Sequence, residues 1–281
     1  MLFLDIKMMN YELIDSGSGR RLEKFGKYIL DRPDPEVMWQ KSLSPEEWDK
    51  ADAKFTDKWV TKSNFPDKWE FDVNDVKVNL KLTPFKHVGI FPEQEFEWNL
   101  ISKLTKKDSN ILNLFGYTGV ASLHALSKTC LPAGRVTHVD ASRPAITWFK
   151  ENQDLSGLSE KYARIIIDDA LKFTAREIKR GVKYDGVMMD PPVYGHGPNG
   201  EKWSFQKNFP ELLDNVSKIL TPDPLFVIVN AYAISSSATS IANIMRDKLS
   251  TLTGNITHGE LVLNENSGRV LSTGIYAIYT K

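Results

Sequence analysis

From residue 110 onward, short apolar runs alternate with segments whose apolar residues recur at helical spacing. An apolar run predicts a buried strand, and a periodic segment predicts a helix that packs on the sheet. Five such units in succession predict a parallel α/β sheet with helices on both faces. The predicted strands are Asn110–Phe115, Arg135–Asp140, Tyr162–Ile167, Tyr184–Asp190 and Leu225–Ala231. The predicted helices end near Thr129 and Arg180 or span Arg143–Leu155, Gln206–Leu220 and Ile234–Leu249.

The amino-terminal part of the chain has a different pattern. Tyr11–Asp15 and Phe25–Asp31 predict the two strands of a hairpin around a turn rich in serine and glycine. Val76–Leu82 alternates apolar and polar residues, as a half-buried strand does. We therefore predict a small sheet-rich module over residues 1–86, followed by the α/β domain over residues 87–281.

The carboxyl-terminal part also departs from the strand–helix alternation. Gly259–Leu263 and Leu271–Thr280 predict two strands joined by a turn that contains asparagine and glycine. This terminal hairpin is expected to add one antiparallel strand to the parallel sheet.

Composition narrows the class of protein. The 281 residues include 41% hydrophobic and 26% charged residues, which is typical of a globular protein with a packed core. No apolar run reaches the length of about 18 residues that a membrane-spanning helix needs. Asp5 and Lys7 interrupt the apolar start of the chain, so we expect no signal peptide. Cys130 is the single cysteine, which excludes an internal disulfide and favours the reducing cytoplasm.

The charges balance, with 36 basic and 36 acidic residues. A protein that binds nucleic acid over a broad surface usually carries an excess of lysine and arginine. On this balance alone nucleic acid is not favoured as a partner, and an RNA substrate would require a local basic groove, which we expect near the loop that contains Asp190. The five histidines have no metal-ligand spacing, so we expect no metal site.

In an open parallel sheet, ligands bind beyond the carboxyl ends of the strands. The first predicted strand ends in the loop Asn113-Leu114-Phe115-Gly116-Tyr117-Thr118-Gly119. Its glycines allow a tight turn and let a ligand approach the amino end of the next helix. The spacing differs from the G-x-G-x-x-G of dinucleotide enzymes and from a P-loop. The alternative is an ordinary strand-to-helix turn.

Acidic residues end the second and third predicted strands. Asp140 lies 21 residues after Gly119, where a carboxylate can accept hydrogen bonds from both hydroxyls of a ribose. Asp168 and Asp169 end the third strand, and one of them can accept from an adenine amino group. For each of these acids the alternative role is a cap on the following helix.

The fourth predicted strand ends in the most specific of these signals, Asp190-Pro191-Pro192, followed by Val193 and Tyr194. Two successive prolines fix the backbone and exclude helical geometry just after the strand. The loop is thereby held rigid while Asp190 faces the cleft. The alternative is a purely structural turn, which the aspartate at this position disfavours.

Taken in order, the glycine loop, the two acidic strand ends and Asp-Pro-Pro resemble class I S-adenosylmethionine-dependent methyltransferases, which have a Rossmann-like sheet. More narrowly, the chain is similar to the family of bacterial 23S ribosomal RNA cytosine-C5 and guanine-N7 methyltransferases. The resemblance covers roughly residues 85–281. It rests on Asn113–Gly119, Asp140-Ala141-Ser142, Asp168-Asp169-Ala170, Asp190-Pro191-Pro192 and the upstream segment His87–Gln94.

The resemblance implies roles for individual residues. S-adenosyl-L-methionine would lie along the glycine loop, with its ribose on Asp140 and its adenine on Asp169 or, as the second choice, Asp168. Asp190, Pro191 and Pro192 would line the acceptor pocket, and Tyr194 would stack on the acceptor ring. The implied cofactor-binding residues are Gln94, Asn113, Phe115, Gly116, Tyr117, Thr118, Gly119, Asp140, Ala141, Asp168 and Asp169.

The predicted position of the thiol limits which acceptor atoms are plausible. Cytosine-C5 methylation needs a cysteine thiolate that attacks C6 of the base. Cys130 is predicted at the far end of the first helix, roughly 15 Å from the glycine loop. Where such family members have a cysteine, the resemblance aligns Asn230-Ala231-Tyr232. We therefore expect a nitrogen or oxygen acceptor rather than cytosine C5, with nitrogen preferred, most readily in ribosomal-type RNA.

Three other functions remain open on the sequence. The acceptor could be a protein or a small molecule rather than RNA. The chain could be a nicotinamide-dependent oxidoreductase on a similar sheet, although the third glycine of that fingerprint is missing. It could also be a non-catalytic binding module that recruits a partner through its aromatic amino-terminal region.

Overall fold

The computed structural model describes residues 10–130 and 132–281. The chain divides into two compact units, residues 1–96 with 261–273 and residues 97–260 with 274–281. The domain boundary drawn from the sequence after residue 86 stays a prediction. The expectation that the chain begins without a signal peptide concerns residues 1–9, which lie outside the described residues.

The first unit consists of short strands and one helical turn. Its elements are β1 (Tyr11–Gly17), β2 (Arg20–Phe25), β3 (Tyr28–Pro33), α1 (Pro45–Trp48), β4 (Ala53–Phe55), β5 (Trp59–Thr61), β6 (Trp69–Val73) and β7 (Val76–Leu80). A five-stranded sheet has the order β1-β2-β3-β4-β5, and β6 pairs with β7 in a separate hairpin. The predicted strand at Val76–Leu82 therefore exists, and its partner β6 was not predicted.

The predicted pairing of Tyr11–Asp15 with Phe25–Asp31 is wrong. β1 turns directly into β2, and β2 lies between β1 and β3. The sequence of β2 hides the strand because two of its buried residues, Arg21 and Glu23, are charged. They are tolerated there because Glu23 accepts hydrogen bonds from Nε and Nη2 of Arg32 on β3, each at 2.7 Å.

The second unit carries the strand–helix repeats. The remaining elements are α2 (Glu95–Leu104), β8 (Asn110–Leu114), α3 (Val120–Lys128), β9 (Arg135–Asp140), α4 (Arg143–Leu155), β10 (Ala163–Ile167), α5 (Ala170–Arg180), β11 (Gly186–Met189), β12 (Tyr194–His196), β13 (Lys202–Ser204), α6 (Phe205–Ile219), β14 (Phe226–Ala231), α7 (Ala238–Lys248), β15 (Asn255–Asn264) and β16 (Val270–Thr280). Seven strands form one sheet in the order β10-β9-β8-β11-β14-β16-β15. β8 to β11 and β14 are parallel, and β16 is antiparallel to β14. The predicted α/β fold with a carboxyl-terminal antiparallel hairpin is confirmed, although both strands of the hairpin, β16 and β15, belong to the sheet rather than the one strand expected.

Local capping sets the helix ends. The side chain of Ser142 accepts a hydrogen bond from Ala145 N, and α4 begins at the next residue, as predicted. α7 starts at Ala238, later than the predicted Ile234, because Ser237 caps it by accepting from Ser240 N at 3.2 Å. Sequence periodicity did not distinguish the loop before Ser237 from the helix itself.

The chain crosses from one side of β8 to the other after β10, which makes the β8–β11 neighbourhood the switch point of the sheet. We call the side where β8, β9, β10, β11 and β14 end the carboxyl side, and the side where they begin the amino side. β11 and β14 are buried along their whole length. Among the described residues, no helix has the length and apolar character needed to cross a membrane.

Candidate active site

The loop after β8 has an unusual backbone. Phe115, Tyr117 and Gly119 have φ values of 56°, 49° and 87°. Bulky residues adopt this left-handed conformation only where their surroundings hold them, and such residues cluster at ligand sites. Gly116 N donates to Val139 O and Gly119 N donates to Gly116 O, both at 3.0 Å. These bonds fix the loop as a tight turn on the carboxyl side.

Close packing requires glycine at two positions of this loop. A Cβ atom at Gly119 would lie 2.0 Å from the Phe149 ring, and one at Gly116 would lie 2.3 Å from the His138 ring. Gly119 is also the N-cap of α3, and no side chain caps the first amides of this helix. The amino end of α3 therefore carries partial positive charge that suits a ligand carboxylate.

A buried polar network supports the loop from below. Asn113 donates through Nδ2 to Ser122 Oγ at 2.8 Å, and this oxygen lies 2.9 Å from His138 Nδ1. His138 stacks on Phe149 with ring centroids 4.1 Å apart. Burial lowers the pKa of His138 to about 3, so the imidazole is neutral at pH 7. The Asn113 side chain thus holds the loop in shape.

Asp140 ends β9 with its carboxylate held by backbone amides. Oδ2 accepts from Tyr117 N at 2.8 Å, and Oδ1 accepts from Ser142 N at 2.7 Å. Burial raises the pKa of Asp140, although these bonds oppose the shift. Because Ser142 is the N-cap of α4, Asp140 does not have that alternative role. A carboxylate has about four lone-pair directions, so Asp140 retains capacity for ribose hydroxyls. Ala141 lies between the two, with no polar side chain of its own.

Asp168 and Asp169 both have structural partners. Asp169 is the N-cap of α5, where its Oδ1 accepts from Lys172 N at 3.0 Å. Asp168 Oδ1 accepts from Asp169 N at 2.9 Å, and the Asp168 carboxylate forms an ion pair with Arg176. The capping role considered for these acids is thus present at Asp169, and contact of either with adenine stays a prediction.

Asp190 follows β11 in the centre of the sheet. Its backbone N–H points at Leu114 O across a long 3.5 Å, at the start of the glycine loop. Asp190, directly after the strand, is half-buried; Pro191 is buried and Pro192 is exposed. The Asp-Pro-Pro segment and the glycine loop therefore lie on neighbouring strands at the switch point.

The segment after the prolines forms a small hairpin of β12 and β13, two strands that the sequence did not predict. The Trp203 indole donates to Pro192 O at 2.6 Å, and its ring centroid lies 5.0 Å from that of Phe115. Phe205 N donates to the carbonyl of Val193 at 2.9 Å. Tyr194 on β12 is 76% exposed. The hairpin thus joins the glycine loop to the Asp-Pro-Pro segment and presents an aromatic ring to solvent.

Gln94 belongs to the first unit. It closes a 3-10 turn, Pro92–Gln94, and its N–H donates to Phe91 O at 3.0 Å. Its side chain is buried. Its predicted contact with the cofactor stays a prediction.

The lone thiol lies on the amino side of the sheet. Cys130 is exposed, its N–H donates to Lys107 O at 2.8 Å, and its carbonyl accepts from Gly134 N at 2.9 Å. Lys107 precedes β8 and Gly134 precedes β9. At the end of β14, the Asn230 side chain is buried and donates to Glu97 Oε2 at 2.7 Å. Within residues 10–130 and 132–281, no group of three or more His, Cys, Asp or Glu could hold a metal ion.

Sequence reasoning did not identify the residues that hold the glycine loop from α4. Asn152 Nδ2 donates to Thr118 O at 3.0 Å, and the Tyr117 and Trp148 rings lie 6.0 Å apart. Burial, with the nearby Asp140 charge, raises the pKa of Tyr117 to about 12. The available signal was that Asn152 is one of two polar residues, with Gln153, among the buried positions of α4.

Two comparisons identify relatives by sequence. A family model described as Conserved hypothetical protein 95 matches residues 93–248. A ribosomal RNA large subunit methyltransferase K/L of Shewanella frigidimarina is 33% identical over 155 residues, which are 55% of this chain and 21% of that protein. The chain thus spans about a fifth of the length of this curated relative.

Solved structures extend the likeness to the whole chain. The SAM-dependent methyltransferase from Agrobacterium tumefaciens is 37% identical, with a TM-score of 0.92 over 98% of this chain and 91% of that one. A protein solved in complex with SAH shares the fold at 16% identity, with a TM-score of 0.72 over 99% of this chain and 77% of that one. The chain therefore belongs to the family described as Conserved hypothetical protein 95 and, with its Agrobacterium relative, to the S-adenosylmethionine-dependent methyltransferases.

Proposed function

We propose that this chain methylates a nitrogen atom of a base in ribosomal RNA, in the cytoplasm, with S-adenosylmethionine as methyl donor. The observation that carries the proposal is the junction of the glycine loop with the Asp-Pro-Pro hairpin, where the Phe115 and Trp203 rings lie 5.0 Å apart. The names of the curated relatives, which act on ribosomal RNA, support the substrate class.

The residues on the carboxyl side fit this cofactor in their donor and acceptor chemistry. The uncapped amino end of α3 suits the carboxylate of a methionine group. The Asp140 carboxylate, held by Tyr117 N and Ser142 N, suits ribose hydroxyls. When bound, S-adenosylmethionine supplies an electrophilic methyl group on a cationic sulfur.

The acceptor side is built to orient rather than to activate. Pro191 and Pro192 hold the backbone in one conformation, and the Pro192 carbonyl is engaged by the Trp203 indole. Asp190 and the Pro191 carbonyl would then accept hydrogen bonds from an acceptor N–H and direct the nitrogen lone pair at the methyl group. Positioning of this kind converts a bimolecular step into an effectively unimolecular one.

The place of the thiol favours nitrogen over cytosine C5. A C5 mechanism needs a thiolate at the acceptor base. Cys130 lies on the amino side, one strand length from the Asp190 loop, and a strand of five residues spans about 17 Å. Asn230, at the end of β14, has no thiol to offer.

The surface of the hairpin suits an anionic aromatic substrate. Lys202, which pairs with His196 two residues from Tyr194, is exposed on the hairpin, and Lys207 is exposed in the first turn of α6. Glu201, the one acid between β12 and β13, pairs with Lys172 at 2.5 Å. The hairpin therefore offers positive charge beside a ring that can stack on a base.

Transfer of a labelled methyl group tests the proposal directly. The enzyme is incubated with methyl-tritiated S-adenosylmethionine and with ribosomal RNA, protein and small-molecule fractions of cells that lack it. We expect label in RNA, and digestion to nucleosides should yield a base methylated on nitrogen. Label in protein or small molecules would contradict the RNA assignment, and label on cytosine C5 would contradict the acceptor atom. An Asp140→Ala variant serves as the inactive control.

A further inference from the structure

A cleft on the amino side of the sheet lies outside the machinery described above. It has a volume of about 310 Å³ and lies among β9, β10 and the end of α5. Six charged or aromatic side chains line it: Arg135, Tyr162, Arg164, Glu177, Arg180 and Tyr184. Three of these six are arginines, and only one is an acid.

Strand register puts the cleft residues of β9 and β10 on one face. Side chains two residues apart on a strand share a face, as Arg135 and Thr137 do on β9. Arg164 on β10 is paired in register with Thr137, and Tyr162 lies two residues before Arg164. Arg135, Tyr162 and Arg164 therefore project from the same face, the one against which the end of α5 packs.

The single acid of the cleft is fully engaged. Glu177 Oε1 accepts from Arg164 Nη2 at 3.1 Å and Arg180 Nη1 at 3.0 Å, and Oε2 accepts from Arg164 Nη1 and the Tyr184 hydroxyl, each at 2.8 Å. A carboxylate has about four lone-pair directions, and all of them are used. Burial raises the pKa of Glu177, but the bonds from Arg164, Tyr184 and Arg180 outweigh it and lower the pKa.

The arginines retain unused donors and excess charge. A guanidinium has about five N–H donors, of which Arg164 gives two to Glu177 and Arg180 gives one. Arg135 gives its Nε to Asn110 Oδ1 at 3.0 Å. The Arg180 side chain is 55% exposed and that of Arg164 is 27% exposed. Three cations against one carboxylate leave a net positive cleft whose planar donors match the oxygens of a phosphate.

We propose that this cleft binds the phosphodiester backbone of the RNA substrate, with the half-exposed Tyr162 stacking on an adjacent base. The inference rests on the proposed function, since it presumes an RNA substrate. A strand length of about 17 Å separates the cleft from the carboxyl side. It therefore holds a part of the RNA distinct from the methylated base, and it supplies the local basic contact that an electrically neutral chain needs.

Salt-dependent RNA binding tests the proposal. Fluorescence anisotropy follows a labelled single-stranded RNA oligonucleotide on the whole protein between about 50 and 200 mM salt. In the double variant Arg135→Gln, Arg180→Gln we expect affinity about tenfold weaker at low salt and a log–log salt slope shallower by about 1.4, since each lost phosphate contact on a single strand contributes about 0.7. Arg135→Gln alone leaves all four donors to Glu177 in place and should give half of the slope change.

A charge-matched control separates this site from general electrostatics. Arg246→Gln with Lys150→Gln removes the same charge from the exposed faces of α7 and α4, and we expect its salt slope to match that of the unchanged protein. Equal slopes for the cleft and control variants would overturn the cleft proposal while leaving the proposed function intact. Wild-type protein that binds no RNA would overturn both. Calorimetry with SAH on each variant verifies that the cofactor site remains folded.

Discussion

The two sides of the seven-stranded sheet differ in charge and in backbone geometry. The carboxyl side gathers acids at the ends of β9, β10 and β11, namely Asp140, Asp168 and Asp190, and its glycine loop has left-handed residues that are packed against other rings. The amino side gathers Arg135, Arg164 and Arg180, together with the lone thiol. Its left-handed glycines, Gly157 and Gly181, end helices in open space.

This difference indicates a division of labour within one domain. Rigid, crowded backbone on the carboxyl side suits a site that must hold a cofactor and an acceptor in one geometry. Exposed guanidinium groups on the amino side suit contacts that add affinity without tight geometry. If the two sides divide the work in this way, methyl transfer depends on carboxyl-side residues and RNA affinity on amino-side residues.

Alanine substitutions at Gly119 and Gly157, two left-handed glycines, compare how closely the backbone is packed on the carboxyl and amino sides. Gly119→Ala should lower the free energy of unfolding by about 4 kcal/mol, because left-handed strain adds to a clash with Phe149. Gly157→Ala meets no atom within 4 Å and should cost only the backbone strain, about 1 kcal/mol. Denaturant unfolding of both variants measures the difference. Equal losses would contradict the crowding of the carboxyl side.

The buried His138 under the glycine loop should make stability depend on pH. Its pKa falls from 6.5 in the unfolded chain to about 3 in the folded protein, so the unfolded state takes up the proton first as pH falls. Stability is therefore complete above pH 6.5 and should drop by about 3 kcal/mol by about pH 4, at about 1.4 kcal/mol per unit. The His138→Gln variant should lose this contribution and keep that of the half-buried His87, whose pKa burial lowers to about 4, measured by unfolding at several pH values. The exposed-site variant His196→Gln is the control, and an unaltered slope in His138→Gln would refute the assignment.

Removing one carboxylate on each side of the sheet distinguishes a specific effect on cofactor affinity from a general effect of lost negative charge. Asp140→Ala should weaken SAH binding about 100-fold in calorimetry, since hydrogen bonds to a charged group are worth about 1.5–3 kcal/mol and the loop loses its anchor at Tyr117 N. Asp154→Ala, near the amino side, removes only a bond from Ser159 Oγ and should leave SAH binding unchanged. Comparable SAH affinities for the two variants would contradict the assignment of the ribose to Asp140.

An exposed tyrosine on each side tests where the acceptor base lies. Tyr194→Ala should lower kcat/KM for RNA about tenfold, because base–aromatic stacking is worth about 1–3 kcal/mol, with SAH affinity unchanged. Tyr162→Ala should weaken RNA binding without a change in kcat. Methyl transfer at saturating and at limiting RNA distinguishes these results. A lower kcat in the Tyr162→Ala variant would indicate that the methyl transfer takes place on the amino side and would contradict the proposed active site.

The thiol gives the smallest expected effect. Cys130→Ala should leave methyl transfer unchanged, because Cys130 lies on the amino side away from the acceptor loop. Asp190→Asn, on the carboxyl side, should lower kcat in the same assay. An inactive Cys130→Ala protein with an unchanged melting temperature would instead support a cysteine-dependent C5 mechanism.

The repeated strand–helix units could be predicted because their signals are local. An apolar run such as that of β14 and a serine before α4 depend on neighbours in the sequence. β2 could not be predicted, because its buried Glu23 is stabilised by Arg32 from another strand and its buried Arg21 by Glu23 and Asp34. The hairpin β12–β13 also could not be predicted, because it depends on contacts between residues distant in the chain. Trp203 is held by Pro192 and Phe115 rather than by adjacent residues.

The sequence by itself determined the order of the five strand–helix units, the tight turn at the glycine loop and the fixed backbone of Asp-Pro-Pro, because turns, strand ends and proline geometry are encoded within a few residues. Only the tertiary structure decided that Asn113 supports the loop, that Asp169 caps α5, and that Cys130 lies on the amino side. It also assembled the arginine cleft from two strands and a helix end. Such contacts join residues far apart in the chain, and their energies depend on burial and register that no local pattern records.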